Sequence, residues 1–313
     1  MKTFALWAAI AALTNFASAR FISSNGTHFV DPDTKETVKH FGCGAHGDNA
    51  SEDFLKTIKK LQKGHQKGAH GTRAARALSK RQVSTPISIP TYFHVLTTAA
   101  NAAAFTQKMA DDQVAAMNTA YSPYGISFTL QNTSFTTNDV WAVAAEDADM
   151  DAAKAALRAG TYGSLNIYFH SDFAGGNLGT CTLPSTVPQG ADPTMYVSDG
   201  CNVNANTMPG GTMLGYNMGG TAVHETGHWL GLLHTFEGYA CDGDGDFIDD
   251  TPMQSESTNG CPAKPAKDSC PTVTGVDPIH NYMDYSTDAC YEAFTPGQVA
   301  RIDTMWTQFR LGM

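Results

Sequence analysis

His224-Glu225-Thr226-Gly227-His228-Trp229-Leu230-Gly231-Leu232-Leu233-His234 is the stretch on which the reading of this chain turns. On an α-helix, residues four apart lie on one face, one turn apart. His224 and His228 therefore present two imidazoles to a single ion, and Glu225 stands beside them within reach of a water on that ion. His234 needs a separate argument. Six residues beyond His228, a straight helix would carry it about 9 Å along the axis and about 120° round, away from the same ion. The chain has to bend first, and Gly231 permits it, because glycine reaches left-handed conformations at low steric cost and commonly ends helices. Two ligands, a helix stop and a third ligand make chemical sense together. Three neutral imidazoles leave a zinc ion its double charge and an open position for water. Histidines that merely decorate a helix surface have no need of this spacing.

Further strings flank the motif: Gly219-Gly220-Thr221-Ala222-Val223 before it, His234-Thr235-Phe236-Glu237-Gly238 after it, Asp249-Asp250-Thr251-Pro252 beyond, and then Asn281-Tyr282-Met283-Asp284-Tyr285. With them the chain resembles the pappalysin family of metzincin zinc metalloendopeptidases, in the cytophagalysin-like branch that includes secreted fungal metalloproteases. The resemblance covers most of residues 90–310 and is strongest between 215 and 290. It implies that Met283 lies in a Met-turn under the metal. It also implies that Tyr285 hydrogen-bonds the tetrahedral intermediate, as a phenol placed to stabilise an oxyanion. Glu225 then takes a proton from water and gives it to the leaving amine. The expected activity is hydrolysis of peptide bonds in extracellular proteins.

The rest of the chain fits an exported enzyme made in a longer form. Met1 to Ala19 has Lys2, an apolar run through Leu13 and the small-residue end Ala17-Ser18-Ala19, which reads as a secretory signal peptide. The run is shorter than the about 20 residues that span a bilayer. A dibasic pair, Lys80-Arg81, ends a basic stretch. Residues 20–81 hold 12 Lys and Arg against 6 Asp and Glu, and residues 82–313 hold 7 against 24. So sharp a change marks a boundary. The expected division is signal peptide 1–19, basic propeptide 20–81 and catalytic domain 82–313. Opposite charges would draw propeptide and domain together, and salt would weaken the attraction.

Seven cysteines follow the same division, with Cys43 in the propeptide and six beyond it. Six in an exported domain suggest three disulfides, in an order that spacing alone leaves open. The family resemblance implies Cys241–Cys270 and Cys261–Cys290, with Cys181–Cys201 as the remaining pair. Cys43, in Phe41-Gly42-Cys43-Gly44, is the odd one. A thiolate is a strong zinc ligand, and the resemblance implies a zymogen switch in which Cys43 takes the open zinc position. Asp242, Asp244 and Asp246 concentrate hard oxygen ligands that suit a structural calcium ion, although Phe247 and Met253 stand where an EF-hand has Gly and Glu. Asn25, Asn49 and Asn132 open glycosylation triplets.

The expected fold class is α+β: a metzincin-like catalytic domain with a twisted mixed sheet and helices, plus an irregular disulfide-stapled C-terminal subdomain ending in a helix. Strands are expected over 87–98, Ser127 to Leu130, Leu165 to His170 and near Met195 to Val197. Helices are expected over 106–121, 149–159, Thr221 to Leu233 and from Thr295 to about Phe309, the last opened by Pro296 and a Thr295/Gln298 capping box. Expected partners are protein or peptide substrates and the chain's own propeptide, with no nucleic acid and no membrane, and the expected state is a monomer. A non-catalytic metal-binding scaffold has no use for Glu225 and Tyr285. A hydrolase for small esters or amides would not need restraint by a propeptide.

Overall fold

The structure, a computed structural model, describes residues 28–30, 37–39, 41–45, 47, 50–68, 82–262, 264 and 266–313. The expected signal peptide, Lys80-Arg81, Asn25 and Asn49 lie outside the described residues. In chain order the elements are β1 (His28–Val30), β2 (Thr37–Lys39), α1 (Glu52–Gly68), β3 (Ile87–Thr97), α2 (Gln107–Tyr121), β4 (Ile126–Thr137), α3 (Asp139–Val143), α4 (Asp147–Leu157), β5 (Leu165–His170), β6 (Gly179–Cys181), β7 (Cys201–Asn204), α5 (Gly220–Trp229) and α6 (Pro296–Met305). β1 and β2 form an antiparallel pair.

The other five strands make one mixed sheet in the order β4-β3-β5-β7-β6. β3 runs parallel to β4 and β5, β5 runs parallel to β7, and β6 closes the edge antiparallel to β7. Side chains alternate between its faces. Ile87, Ile89, Phe93 and Val95 of β3, with Leu165, Ile167 and Phe169 of β5, enter the main core with residues of α2, α5 and α6. Leu96 and Tyr168 point the other way and pack with Ala153 and Leu157 of α4 and Trp141 of α3. With both faces covered, β5 is buried throughout, as parallel strands between helices are.

Several elements depart from the sequence expectation. β4 is 12 residues long rather than four, with one extra residue, Gln131, opposite the Thr91/Tyr92 step of β3. Its second half is Thr-rich and largely solvent-facing, as an edge strand allows, so it carried no apolar alternation. The strand expected near Met195 is instead a 3₁₀ turn, Pro193–Tyr196, opened by Asp192, whose side chain accepts from Thr194 N. The real strands in that region, β6 and β7, are only three and four residues long, too short to show a period. The C-terminal helix opens with the Thr295/Gln298 capping box, but its last part, Trp306–Arg310, is a π-helix.

Disulfides join Cys181 to Cys201, Cys241 to Cys270 and Cys261 to Cys290. The first links partners directly opposite each other on β6 and β7. The other two hold the irregular half. The described residues between 41 and 68 lie against the domain. Phe54 and Ile58 of α1 are fully buried with Leu233, Met305 and Phe309. Asp53 Oδ2 accepts from Thr186 Oγ1, and Gln308 Nε2 donates to Thr57 Oγ1. Lys56 pairs with Glu52 and Asp53 inside its own helix. The described seat is therefore apolar and hydrogen-bonded.

Candidate metal centre

α5 carries His224, Glu225 and His228 on its buried length and stops at Trp229, four residues before the expected end. Gly231 is the cause. It sits at φ +91°, Gly231 N donates to His228 O at 2.8 Å, and Leu232 N donates to Gly227 O at 2.9 Å. These two bonds form a Schellman stop around a left-handed residue. The chain then turns back and brings His234 to the other two histidines.

The Nε2 of His228 lies 3.1 Å from Nε2 of His224 and 3.1 Å from Nε2 of His234. His224 Nδ1 donates to Tyr282 O at 2.7 Å, and His228 Nδ1 donates to Leu232 O at 2.9 Å. A neutral ring that donates from Nδ1 has a bare lone pair on Nε2. Lone pairs thus converge in a buried site, an arrangement that a cation between them would satisfy. Nitrogens bound at about 2.0–2.1 Å to a tetrahedral ion stand about 3.3 Å apart, close to what is found. Burial pushes the His224 imidazole down to about 4, against the pull of its hydrogen bond to Tyr282, and so keeps it in the neutral form that a metal needs. Glu237 Oε2 lies 3.6 Å from His234 Nδ1, a carboxylate behind a ligand imidazole.

Cys43 offers a fourth donor atom. Its Sγ and the ligand nitrogens of His224, His228 and His234 all lie within 4.8 Å of one another, and all four residues are buried. The segment enters as an extra strand on the free edge of β6. Cys43 bridges Gly179 in parallel, Leu178 N donates to Gly42 O at 2.7 Å, and Gly44 N donates to Gly179 O at 3.0 Å. The Cys43 thiol is 3.4 Å from Glu225 Oε2, and Tyr285 Oη accepts from Cys43 N at 3.1 Å. Burial first, and then the nearby Glu225 carboxylate, push the Cys43 thiol up. Glu225 is fully buried, which pushes its carboxyl up to about 8. Its Oε1 has no hydrogen-bond partner among the described residues.

A matching family model spans residues 154–306 and describes pregnancy-associated plasma protein-A, peptidase family M43. An extracellular metalloprotease of Colletotrichum graminicola is 42% identical over 96% of this chain and 97% of its own length. One from Podospora anserina is 45% identical over 86% of this chain and 90% of its own. The chain belongs to the pappalysin family. Among solved structures, mature Tannerella forsythia mirolysin in complex with a cleaved peptide is 26% identical, with a TM-score of 0.58 over 72% of this chain and 94% of that one. A mutant promirolysin shares the fold, with 23% identity and a TM-score of 0.60 over 86% of this chain and 94% of that one.

This pappalysin is thus a metallopeptidase, and its site is held from below by residues that the motif does not contain. A Cβ at Gly227 would collide with Met283 Sδ, so the methionine packs directly against the ligand helix. A Cβ at Gly179 would collide with the Glu225 carboxylate, so β6 also needs a glycine where it passes the site. Asp284 is buried and accepts from Thr258 N, Thr258 Oγ1, Gln254 Nε2 and its neighbour Tyr285 N. It ties the Met283–Tyr285 turn to the disulfide-held half. Gly179, Gln254 and Thr258 carried no signal in the sequence, because each acts through a partner far away in the chain.

The acidic loop is a different case. Asp242 and Asp244 are exposed while Asp246 is buried, and the three do not form a ligand cluster among the described residues. Asp246 Oδ1 accepts from Ile248 N, and Asp250 accepts from Thr295 Oγ1 and Gly297 N at the start of α6. Asp250 thus serves the start of α6, and calcium at Asp242, Asp244 and Asp246 stays an expectation from the sequence. Asn132 is exposed on β4.

Proposed function

We propose that this pappalysin is a secreted zinc endopeptidase made as a latent precursor, in which Cys43 fills the fourth ligand position until residues 20–81 are removed. The observation that carries the reading is the convergence of one thiol and three imidazoles, all buried, with Glu225 and Tyr285 both touching the thiol's residue. Three histidines suit zinc, and one cysteine thiolate as the fourth donor would complete a tetrahedral set. A bound zinc ion lowers the pKa of water and polarises a carbonyl.

The chain's own groups do the rest. With Cys43 gone, Glu225 takes the proton of the attacking water and carries it to the leaving amine. The Tyr285 hydroxyl, 3.3 Å from His234 Nε2, donates to the oxyanion that forms on the scissile carbonyl. In the precursor both groups are engaged by Cys43, so latency covers the base and the oxyanion donor as well as the metal. The signal peptide 1–19 would direct export, and cutting after Arg81 would start activation. Relatives named extracellular metalloproteases support export. No helix among the described residues is long and apolar enough to cross a membrane.

The test is casein hydrolysis by residues 20–313 before and after cutting at Arg81. The precursor should be silent, the cut and dissociated enzyme active, and a zinc chelator should abolish the activity. Glu225→Gln should keep one equivalent of zinc and lose nearly all turnover. Retained turnover in that variant would remove Glu225 from the proposed role.

A further inference from the structure

Residues 82–313 hold only 7 Lys and Arg against 24 Asp and Glu, yet three of those cations are gathered and buried behind one end of β6. Arg310 spans both oxygens of Asp199 at 3.0 and 3.2 Å, and Arg158 Nη2 lies 3.5 Å from the same carboxylate. Lys154, on α4, is 4% exposed, and its described hydrogen bond goes to Ser198 O at 2.7 Å. An ammonium has three donors. Asp199 is thus committed to the arginines, and positive charge is left over. Asp147 and Asp151 share α4 with Lys154 but are exposed.

This cluster borders a cavity of about 430 Å³ lined by Lys154, Ser198, Tyr162, Thr180, Leu183 and Tyr196 among others. Thr180 follows Gly179 directly and Leu183 stands four residues beyond it, so the cavity opens beside the edge on which an extended chain already adds as a strand. The described propeptide residues that border it are Gly44, Ala45 and Ser51. None has a side chain longer than a hydroxymethyl, so the described residues of this segment pass the cavity without filling it.

We infer that this cavity is a substrate subsite for an acidic side chain, with Lys154 as its specificity-determining residue, a few positions from the scissile bond. The inference rests on the peptidase reading above. A substrate carboxylate would give the desolvated ammonium a second, charge-assisted partner. A neutral side chain would leave those donors unmet. Glu should therefore exceed Gln at one substrate position by about 10- to 100-fold in kcat/KM.

The experiment uses the processed enzyme and peptides in which each position around a mapped cleavage site is Glu, Gln or Lys in turn. One position should favour Glu, Lys154→Met should bring the Glu:Gln ratio near one, and Lys154→Glu should turn the preference toward Lys. Should the buried variants not fold, Thr180→Trp fills the cavity from its rim and must lower the selectivity at the same position. Cleavage with no position favouring Glu, or a preference untouched by these variants, overturns the subsite and leaves the peptidase standing. No cleavage of casein or of any peptide overturns both.

Discussion

The Tyr285 hydroxyl accepts the backbone N–H of Cys43 at 3.1 Å, across 242 positions of sequence. A group proposed to hold an oxyanion in the working enzyme therefore also holds the Cys43 segment, the proposed propeptide. Tyr285→Phe should lower kcat of the processed enzyme by about 10- to 100-fold, the range for loss of one oxyanion donor or somewhat less. It should leave zinc content at one per chain. An unchanged kcat would show that the hydroxyl serves the precursor alone.

Cys43→Ala removes the thiol while keeping the strand contacts of Gly42 and Gly44 with β6. The uncut variant should show measurable casein hydrolysis, still below that of the processed enzyme, since the segment continues to cover the cleft. Silence of this precursor would mean that the covering strand is sufficient for latency.

Gly231→Ala places a Cβ at φ +91° and against Met305. The left-handed conformation costs a non-glycine residue about 1–2 kcal/mol, and a domain of this size loses about 2–4 °C in Tm for each kcal/mol. The larger effect should fall on metal content, because relief of the strain moves His234. Calorimetry and zinc analysis on the same sample read the two effects separately.

Asp288 is buried, and burial holds its carboxyl up at about 7 even though Met218 N and Gly220 N donate to it. Between the ordinary carboxylate range and pH 7, the native state therefore binds the proton more tightly than the unfolded state. Its favourable contribution is present at low pH and is lost as pH rises through about 7. Asp288→Asn should accordingly raise Tm relative to the parent more at pH 8 than at pH 5. An equal shift at both would contradict a neutral Asp288 in the fold.

Gly227→Ala should destabilise the site although the helix itself would welcome alanine. The added methyl meets Met283 Sδ, and repacking has to displace either the ligand helix or the turn. Co-substitution Met283→Ala should recover part of the lost Tm, which a double-mutant cycle would measure.

The elements that were legible in the sequence share a property: their evidence lies within a few residues. The capping box at Thr295, the glycine stop at Gly231 and the i, i+4 histidines are local patterns that backbone geometry enforces. β6 and β7 escaped because strands of three and four residues, buried by their surroundings, have no period to display. In the acidic run at Asp242–Asp250 composition records oxygen atoms and not their direction, and only the fold shows that Asp250 turns to the start of α6.

By itself, then, the sequence determined which side chains could hold a metal and where the ligand helix must end, since spacing on a helix and the steric freedom of glycine are properties of short segments. Only the tertiary structure decided what stands across from them. Cys43 beside Glu225, Gly179 beneath the Glu225 carboxylate, Met283 against Gly227 and Lys154 behind β6 come together by packing of segments distant in the chain. Such contacts follow from how the faces of sheet and helices bury one another, and no local preference encodes that.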